Sequence, residues 1–102
     1  MSIGFEISQD DVLNVLSSFN IDVKEDIEDI MLVIDEDEIS DVAMKVDFSE
    51  DEDDSEILMK QTEVAYDEIA WQLFQAGFIQ ENHINKYGNR LLIERMNNEM
   101  KV

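Results

Sequence analysis

The chain has 102 residues, no cysteine, and 26 acidic against 7 basic residues, which gives a net charge of −19. This length suits one domain with one modest core, and the 44% of apolar residues is enough to build it. The absence of cysteine excludes disulfides, thiolate metal sites and cysteine nucleophiles. The longest apolar run, Ile30 to Ile34, is too short to span a bilayer, and the N-terminus lacks the pattern of a signal peptide. We therefore expect a cytoplasmic protein.

The negative charge is concentrated in the first two thirds of the chain. Residues 1–70 hold 23 acids and 3 bases, a net of −20, whereas residues 71–102 hold 3 acids and 4 bases, a net of +1. This split predicts a single acidic helical domain over residues 1–102, with an acidic surface in 1–70 and a near-neutral C-terminal third in 71–102. An acidic surface is repelled by phosphates and anionic lipid, so we expect a basic partner, no direct nucleic-acid binding and no membrane binding.

The N-terminal residues predict an arm followed by a helix. Apolar and other residues alternate over residues 3–7, which favours a short strand or extended arm. Ser8 and Asp11 have the spacing of a capping box, and the apolar residues that follow recur at helical spacing. The sequence therefore predicts a first helix over residues 9–19, ended by Asn20, because asparagine tolerates the left-handed conformation found after many helices.

Two further helices are predicted in the acidic part of the chain. Asp22 and Glu25 repeat the capping-box spacing before a second apolar stripe, which predicts a helix over residues 23–34. The four carboxylates of residues 35–38 favour another helix start, since negative charge interacts well with the partial positive charge of a helix N-terminus. The third helix is predicted near residues 37–46.

The longest predicted helix covers residues 55–76. A solvated acidic loop over residues 47–56 precedes it, and Asp54 or Ser55 can cap its first turn. Its apolar positions cover most of its circumference, which predicts a central helix packed on several sides. Gly77 is predicted to end it in a left-handed conformation.

The C-terminal third is predicted to contain a polar connection and one more helix. Residues 80–88 are polar, with Ile84 and Tyr87 as anchors, and Asn89 can cap a final helix. Residues 91–93 could instead form a strand paired with residues 3–7, but helical spacing favours the helix. The predicted fold class is thus all-α, a small single-domain bundle of about five helices with a short extended N-terminal arm.

The residues that could carry catalysis or bind metal are sparse. The single histidine, His83, lies in a polar stretch with no nucleophile or acid at a suitable spacing. An EF-hand numbered from Asp47 would place Glu52 at the glycine position and Leu58 at the bidentate glutamate position, so it does not match. We predict no enzyme activity, no cofactor and no dedicated metal site, and leave open weak, unselective divalent binding by the acidic loop.

The acidic surface is the main candidate for function. Residues 22–56 contain 17 carboxylates in 35 residues, and on helices that rise about 1.5 Å per residue this places one charge per roughly 3 Å, against 3.4 Å between the phosphates of a DNA strand. We predict an inhibitor or regulator that mimics DNA and occupies the basic site of a nucleic-acid-handling protein. The predicted acidic set is Glu25, Glu28, Asp29, Asp35, Glu36, Asp37, Glu38, Asp41, Glu50, Asp51, Glu52, Asp53 and Asp54.

In size and charge, though in no motif, the chain resembles viral proteins, including phage anti-defence proteins, that block restriction or RNA-guided nucleases. The alternative is an accessory or adaptor protein of a cellular assembly. Its contact surface would be the C-terminal third, formed by Trp71, Phe74, Phe78, Tyr87 and the methionines of the last helix. A homodimer through this near-neutral third is compatible with either function.

Overall fold

A computed structural model of the protein describes residues 7–22, 26–46 and 50–100. Within these ranges the fold is all-helical, with no strand, which confirms the predicted class. The described residues form six helices, one more than the approximate five predicted. They are α1 (Gln9–Ser18), α2 (Ile27–Met31), α3 (Glu36–Met44), α4 (Asp54–Ala76), α5 (Glu81–Tyr87) and α6 (Arg90–Met100).

The capping box of α1 forms as predicted. The Ser8 hydroxyl accepts the Asp11 N–H at 3.3 Å, and the Asp11 carboxylate accepts the Ser8 N–H at 2.9 Å. Asn20 follows the helix with a φ of 57°, the left-handed conformation expected there. The Tyr66 hydroxyl also donates to the Asp11 carboxylate at 2.8 Å, so the start of α1 is tied to the middle of α4.

The next two helices differ from the prediction in length. The second is only Ile27–Met31, because the chain turns at Leu32 and buries Ile34 instead of continuing the helical stripe. Its predicted start, including Glu25, lies outside the described residues. The third is Glu36–Met44, close to the predicted 37–46.

The central helix α4 starts slightly earlier than predicted. Its N-cap is Asp53, whose carboxylate accepts the Glu56 N–H at 2.9 Å, and neither Asp54 nor Ser55 takes that position. Asp53 has the extended backbone conformation of a cap, with a φ of −83° and a ψ of 170°, which lets its carboxylate reach an N–H of the first turn.

The end of α4 is as predicted. Gly77 has a φ of 94°, and the Phe78 N–H donates to the Leu73 carbonyl at 2.9 Å, as in a Schellman motif.

One hydrophobic core joins all six helices, and α4 contributes more to it than any other helix. Its buried residues begin only at Ala65 and include Ile69 and Leu73, both fully buried. The first half of α4 is different, since Leu58 is 56% and Met59 64% exposed. The predicted packing of α4 on several sides therefore does not extend to this half.

The stretch predicted as a connection, residues 80–88, contains the short helix α5. Ile84 is fully buried and anchors the helix to the core, whereas Tyr87, the other predicted anchor, is 40% exposed. At the start of the helix the His83 Nδ1 accepts the Gln80 N–H at 3.1 Å. A glutamine–histidine cap of this kind is not among the usual sequence signals, so the polar composition concealed the helix.

Residues 91–93 are helical, which confirms the predicted last helix and not the alternative strand. The Asn89 side-chain oxygen accepts the Leu92 N–H at 2.8 Å, the predicted cap of α6. Residues 3–6 of the predicted N-terminal arm lie outside the described residues, and Ile7 is buried in the core.

We expect Gly77→Ala to destabilise the protein by about 1 kcal/mol, because an alanine at a φ of 94° is strained by its Cβ. Urea unfolding monitored by circular dichroism measures the loss. The matched control is Gln75→Ala in the last turn of α4, an exposed position where we expect a change within about 0.5 kcal/mol. Equal stability of the two variants would contradict the role given to Gly77.

Candidate acidic binding surface

The acidic helix α3 is fixed on α4 by a buried glutamine. Gln72, only 7% exposed, accepts the Asp35 N–H at 2.6 Å and donates to the Asp35 carbonyl at 3.2 Å. This pair of hydrogen bonds places the start of α3 beside the C-terminal half of α4. The chain must then return to the start of α4 within a short connection, so α3 runs back along α4, with Ile39 and Ala43 buried between them.

Most of the predicted acidic set is displayed to solvent. Nine of its side chains are exposed and have no structural hydrogen bond or ion pair within the described residues. We call these nine residues the acidic surface. They are Glu28, Asp29, Glu36, Asp37, Glu38, Asp41, Glu50, Asp51 and Asp54.

Three members of the predicted set have structural contacts instead. Asp35 caps α3 by accepting the Glu38 N–H at 3.1 Å, and Asp53 caps α4. Glu52 forms an ion pair of 2.6 Å with Lys60, and its side chain is only 17% exposed. The remaining member, Glu25, lies outside the described residues.

The α3 and α4 portions of the acidic surface are separated along α4. The acids at the start of α3 lie near Gln72, and those of residues 50–54 lie at the start of α4, 19 residues away along the helix. At about 1.5 Å per residue the separation is about 28 Å. One strand of DNA places about eight phosphates in that distance, at 3.4 Å each.

The bases of the described chain do not neutralise the acidic surface. Lys60 pairs with Glu52, Arg90 pairs with Glu94 at 3.1 Å, and Arg95 pairs with the buried Glu68 at 2.6 Å. No ion pair within residues 7–22, 26–46 and 50–100 involves any of the nine acidic-surface residues. Their charge is therefore available to a partner.

The contact between α6 and α4 was not predicted from the sequence. Glu68 is 4% exposed, and the guanidinium of Arg95 that pairs with it lies 4.4 Å from the centre of the Trp71 ring. The available signal was the spacing of Glu68 and Gln72, one helical turn apart in the most apolar part of the chain. Two polar residues on one line of a buried helix face indicate internal partners.

The aromatic and methionine-rich contact surface of the alternative hypothesis is mostly not exposed. Trp71 is 3% exposed, Met96 is fully buried, and Phe74 and Phe78 pack partly buried against the core. Tyr87, 40% exposed with Lys86 against its ring, is the one of the four predicted aromatics that remains open. These side chains mainly hold the fold together.

Metal binding and ionisation give no second candidate site. No group of three or more His, Cys, Asp or Glu side chains in the described part of the chain is arranged to hold a metal ion. The Nδ1 of His83 is used in the α5 cap. Of the helices that the structure describes, none is both long and apolar enough to cross a membrane.

Asp67 has an unusual ionisation because it is partly enclosed between α4 and α6. Burial raises the pKa of its carboxyl, the Asn89 amide that donates to it at 2.6 Å opposes the rise, and the charge of Glu63 adds to it. Since Asn89 also caps α6, the Asp67 carboxylate has a structural explanation: it helps to hold the start of α6 against α4.

Comparison with known proteins does not assign the chain to a family. No protein-family model, no curated protein and no solved structure gives a significant match to it.

We expect Arg95→Leu to destabilise the protein by about 2 kcal/mol, because it leaves the Glu68 carboxylate without its partner. Arg95 is partly exposed, so water compensates some of the loss. The double variant Glu68→Leu, Arg95→Leu should recover to within about 1 kcal/mol of the wild type. Denaturant unfolding of the full double-mutant cycle measures both effects.

The control for this cycle is Arg90→Leu, which removes the exposed Arg90–Glu94 pair and should change stability by less than about 0.5 kcal/mol. If Arg95→Leu cost no more than Arg90→Leu, the buried pair would not be what holds α6 on α4.

Asp67 should make the stability depend on pH. Because its pKa is higher in the folded than in the unfolded protein, the folded state favours the protonated form, and this contribution is lost as the pH rises from about 3.8 through the raised pKa. The unfolding free energy of the wild type relative to Asp67→Asn should therefore be lower at pH 7 than at pH 3. A difference independent of pH would refute this assignment.

Proposed function

We propose that this protein binds the basic site of a nucleic-acid-handling protein and keeps nucleic acid out of it. The acidic surface carries the proposal: nine exposed carboxylates on α2, on α3 and around the start of α4, none of them in an ion pair within the described residues. The acids at the start of α3 and those of residues 50–54 are about 28 Å apart along α4. Their extent and charge resemble a short length of DNA strand, so the same cationic groove could accept either.

The energetics of the fold support this function. Like charges repel one another at the spacing seen in α3 and in residues 50–54, which lowers the stability of the folded state. A cationic partner would remove this repulsion on binding, in addition to forming its own contacts. General solubility requires far fewer charges and gives no reason to concentrate unpaired acids on α2, on α3 and around the start of α4.

The proposed class of target is a restriction or RNA-guided nuclease. Such enzymes hold nucleic acid in extended basic channels, and a small acidic inhibitor acting on them would be of the phage anti-defence type. This part of the proposal depends on the likeness in size and charge alone.

The test begins with capture of partners on the immobilised protein at about 50 mM salt and their identification by mass spectrometry. We expect basic nucleic-acid-binding proteins that are released by duplex DNA and by raising the salt to about 500 mM, because the contacts are between charges. The purified partner should lose DNA or RNA binding, measured by fluorescence anisotropy, when the acidic protein is added.

Two triple variants with equal net charge distinguish the effect of the acidic surface on binding from the effect of the total charge. Asp41→Asn, Glu50→Gln, Asp51→Asn removes three acidic-surface charges outside the helix caps and should weaken binding about tenfold, at about 0.5 kcal/mol per contact. The control variant removes the three acids of residues 71–102 and should leave partner binding unchanged; it carries Glu81→Gln, Glu94→Gln and Glu99→Gln. Equal losses, or a partner that keeps its nucleic acid, would refute the proposal.

A further inference from the structure

The first half of α4 exposes an apolar face that the core does not use. Leu58 is 56% and Met59 64% exposed, and no residue of α4 before Ala65 is buried. This face lies on a helix whose later turns are firmly packed, so it is presented in a fixed position. A rigid apolar face binds at a lower entropic cost than a flexible one, and methionine adapts well to the shape of a partner.

The neighbours of this face allow another helix to approach closely. Ser55 and Thr62 lie one turn before and one turn after Leu58 and Met59, so small side chains stand above and below the apolar pair. The Thr62 hydroxyl donates to the Leu58 carbonyl at 2.8 Å. Its donor is thus satisfied inside the helix, and covering it with an apolar surface would leave no donor unpaired.

The surroundings of the apolar face are strongly negative. A surface groove of about 370 Å³ runs beside Met59 and is lined by Glu52, Glu56, Lys60 and Glu63. Lys60, the base in this lining, is already paired with Glu52. Residues 50–54 add further acids at the start of the helix. A partner covering Leu58 and Met59 must therefore bring positive charge around an apolar centre.

From this combination we infer that the first half of α4 binds a basic amphipathic helix of the partner protein, with Leu58 and Met59 as the apolar contacts. The inference rests on the proposed function and specifies the partner segment: leucine-like side chains on one helix face and lysines or arginines on its flanks. A second copy of this chain fits poorly, because it would bring two negatively charged surfaces together.

The inference separates two kinds of binding. A surface that only imitates phosphates is recognised by charge, and its affinity falls steeply with salt. A helix held also by Leu58 and Met59 keeps part of its affinity at high salt, because contacts between apolar side chains are not screened.

Two synthetic helical peptides of about 18 residues test this recognition mode. One has lysines with leucines at helical spacing on one face, and the other has the same lysines with every leucine replaced by serine. Binding of the labelled peptides to the full chain is measured by fluorescence anisotropy at about 100 and 400 mM salt. At the higher salt we expect the leucine peptide to bind about tenfold more tightly than the serine peptide, since two half-exposed apolar side chains of the protein become buried.

The test variant is Leu58→Ser, Met59→Ser, which changes exposed positions and should fold normally by circular dichroism. It should remove the preference for the leucine peptide. The matched control is Leu91→Ser on α6, equally apolar and 71% exposed but in a near-neutral part of the chain, and it should keep the preference.

Equal binding of the two peptides overturns the inference, and so does an unchanged preference for the leucine peptide in the variant Leu58→Ser, Met59→Ser. The proposed charge-based function still stands in that case if both peptides bind and are released by salt. Failure of both peptides to bind at about 100 mM salt would count against both proposals. Sedimentation of the wild type provides the remaining outcome: a dimer that Leu58→Ser, Met59→Ser dissociates would show that a second copy covers this face, and would also overturn the inference.

Discussion

The fold depends on a buried amide that holds two negatively charged parts of the chain together. Gln72 bonds both the N–H and the carbonyl of Asp35, so the start of α3 is fixed beside the C-terminal half of α4. The buried side chains of Ile39 and Ala43 then provide the apolar attraction. Without this contact the start of α3 would have no fixed place on α4, and its acids would no longer be held in a defined arrangement.

Two of the few bases of the chain have a structural role. In the C-terminal third, Arg95 neutralises the buried Glu68 of α4 and lies over the Trp71 ring, whereas the exposed Arg90 pairs with Glu94 within α6. The N-terminal two thirds have few bases, and Lys60 is paired with the half-buried Glu52. Arg95 and Lys60 thus lie where the burial of Glu68 and Glu52 makes a charge partner necessary, while the nine residues of the acidic surface stay solvated.

Much of the fold could be predicted from local signals. The Ser8 capping box, the left-handed Asn20 and Gly77, and the Asn89 cap are properties of a few adjacent residues, and the exposure of carboxylates follows from their cost of burial. The rest depends on contacts between distant residues. Composition could not indicate that the neighbours of α4 leave its first half uncovered, and the partners of Glu68 and Gln72 are 27 and 37 residues away. The partner that the acidic surface would bind lies outside the chain altogether.

Two of the acids in this part of the chain, Asp35 and Asp53, are needed for helix formation and not only for surface charge. Asp35 and Asp53 each hold a main-chain N–H at the start of a helix, and neighbouring acids in the same first turns are favoured by the partial positive charge there. Mutations can therefore replace the acids beyond these turns with little loss of stability, whereas loss of either aspartate would destabilise the helix that carries the other acids. Such a chain would be expected to evolve its target preference through residues such as Asp41 and Glu50, while its helix starts stay acidic under selection for stability alone.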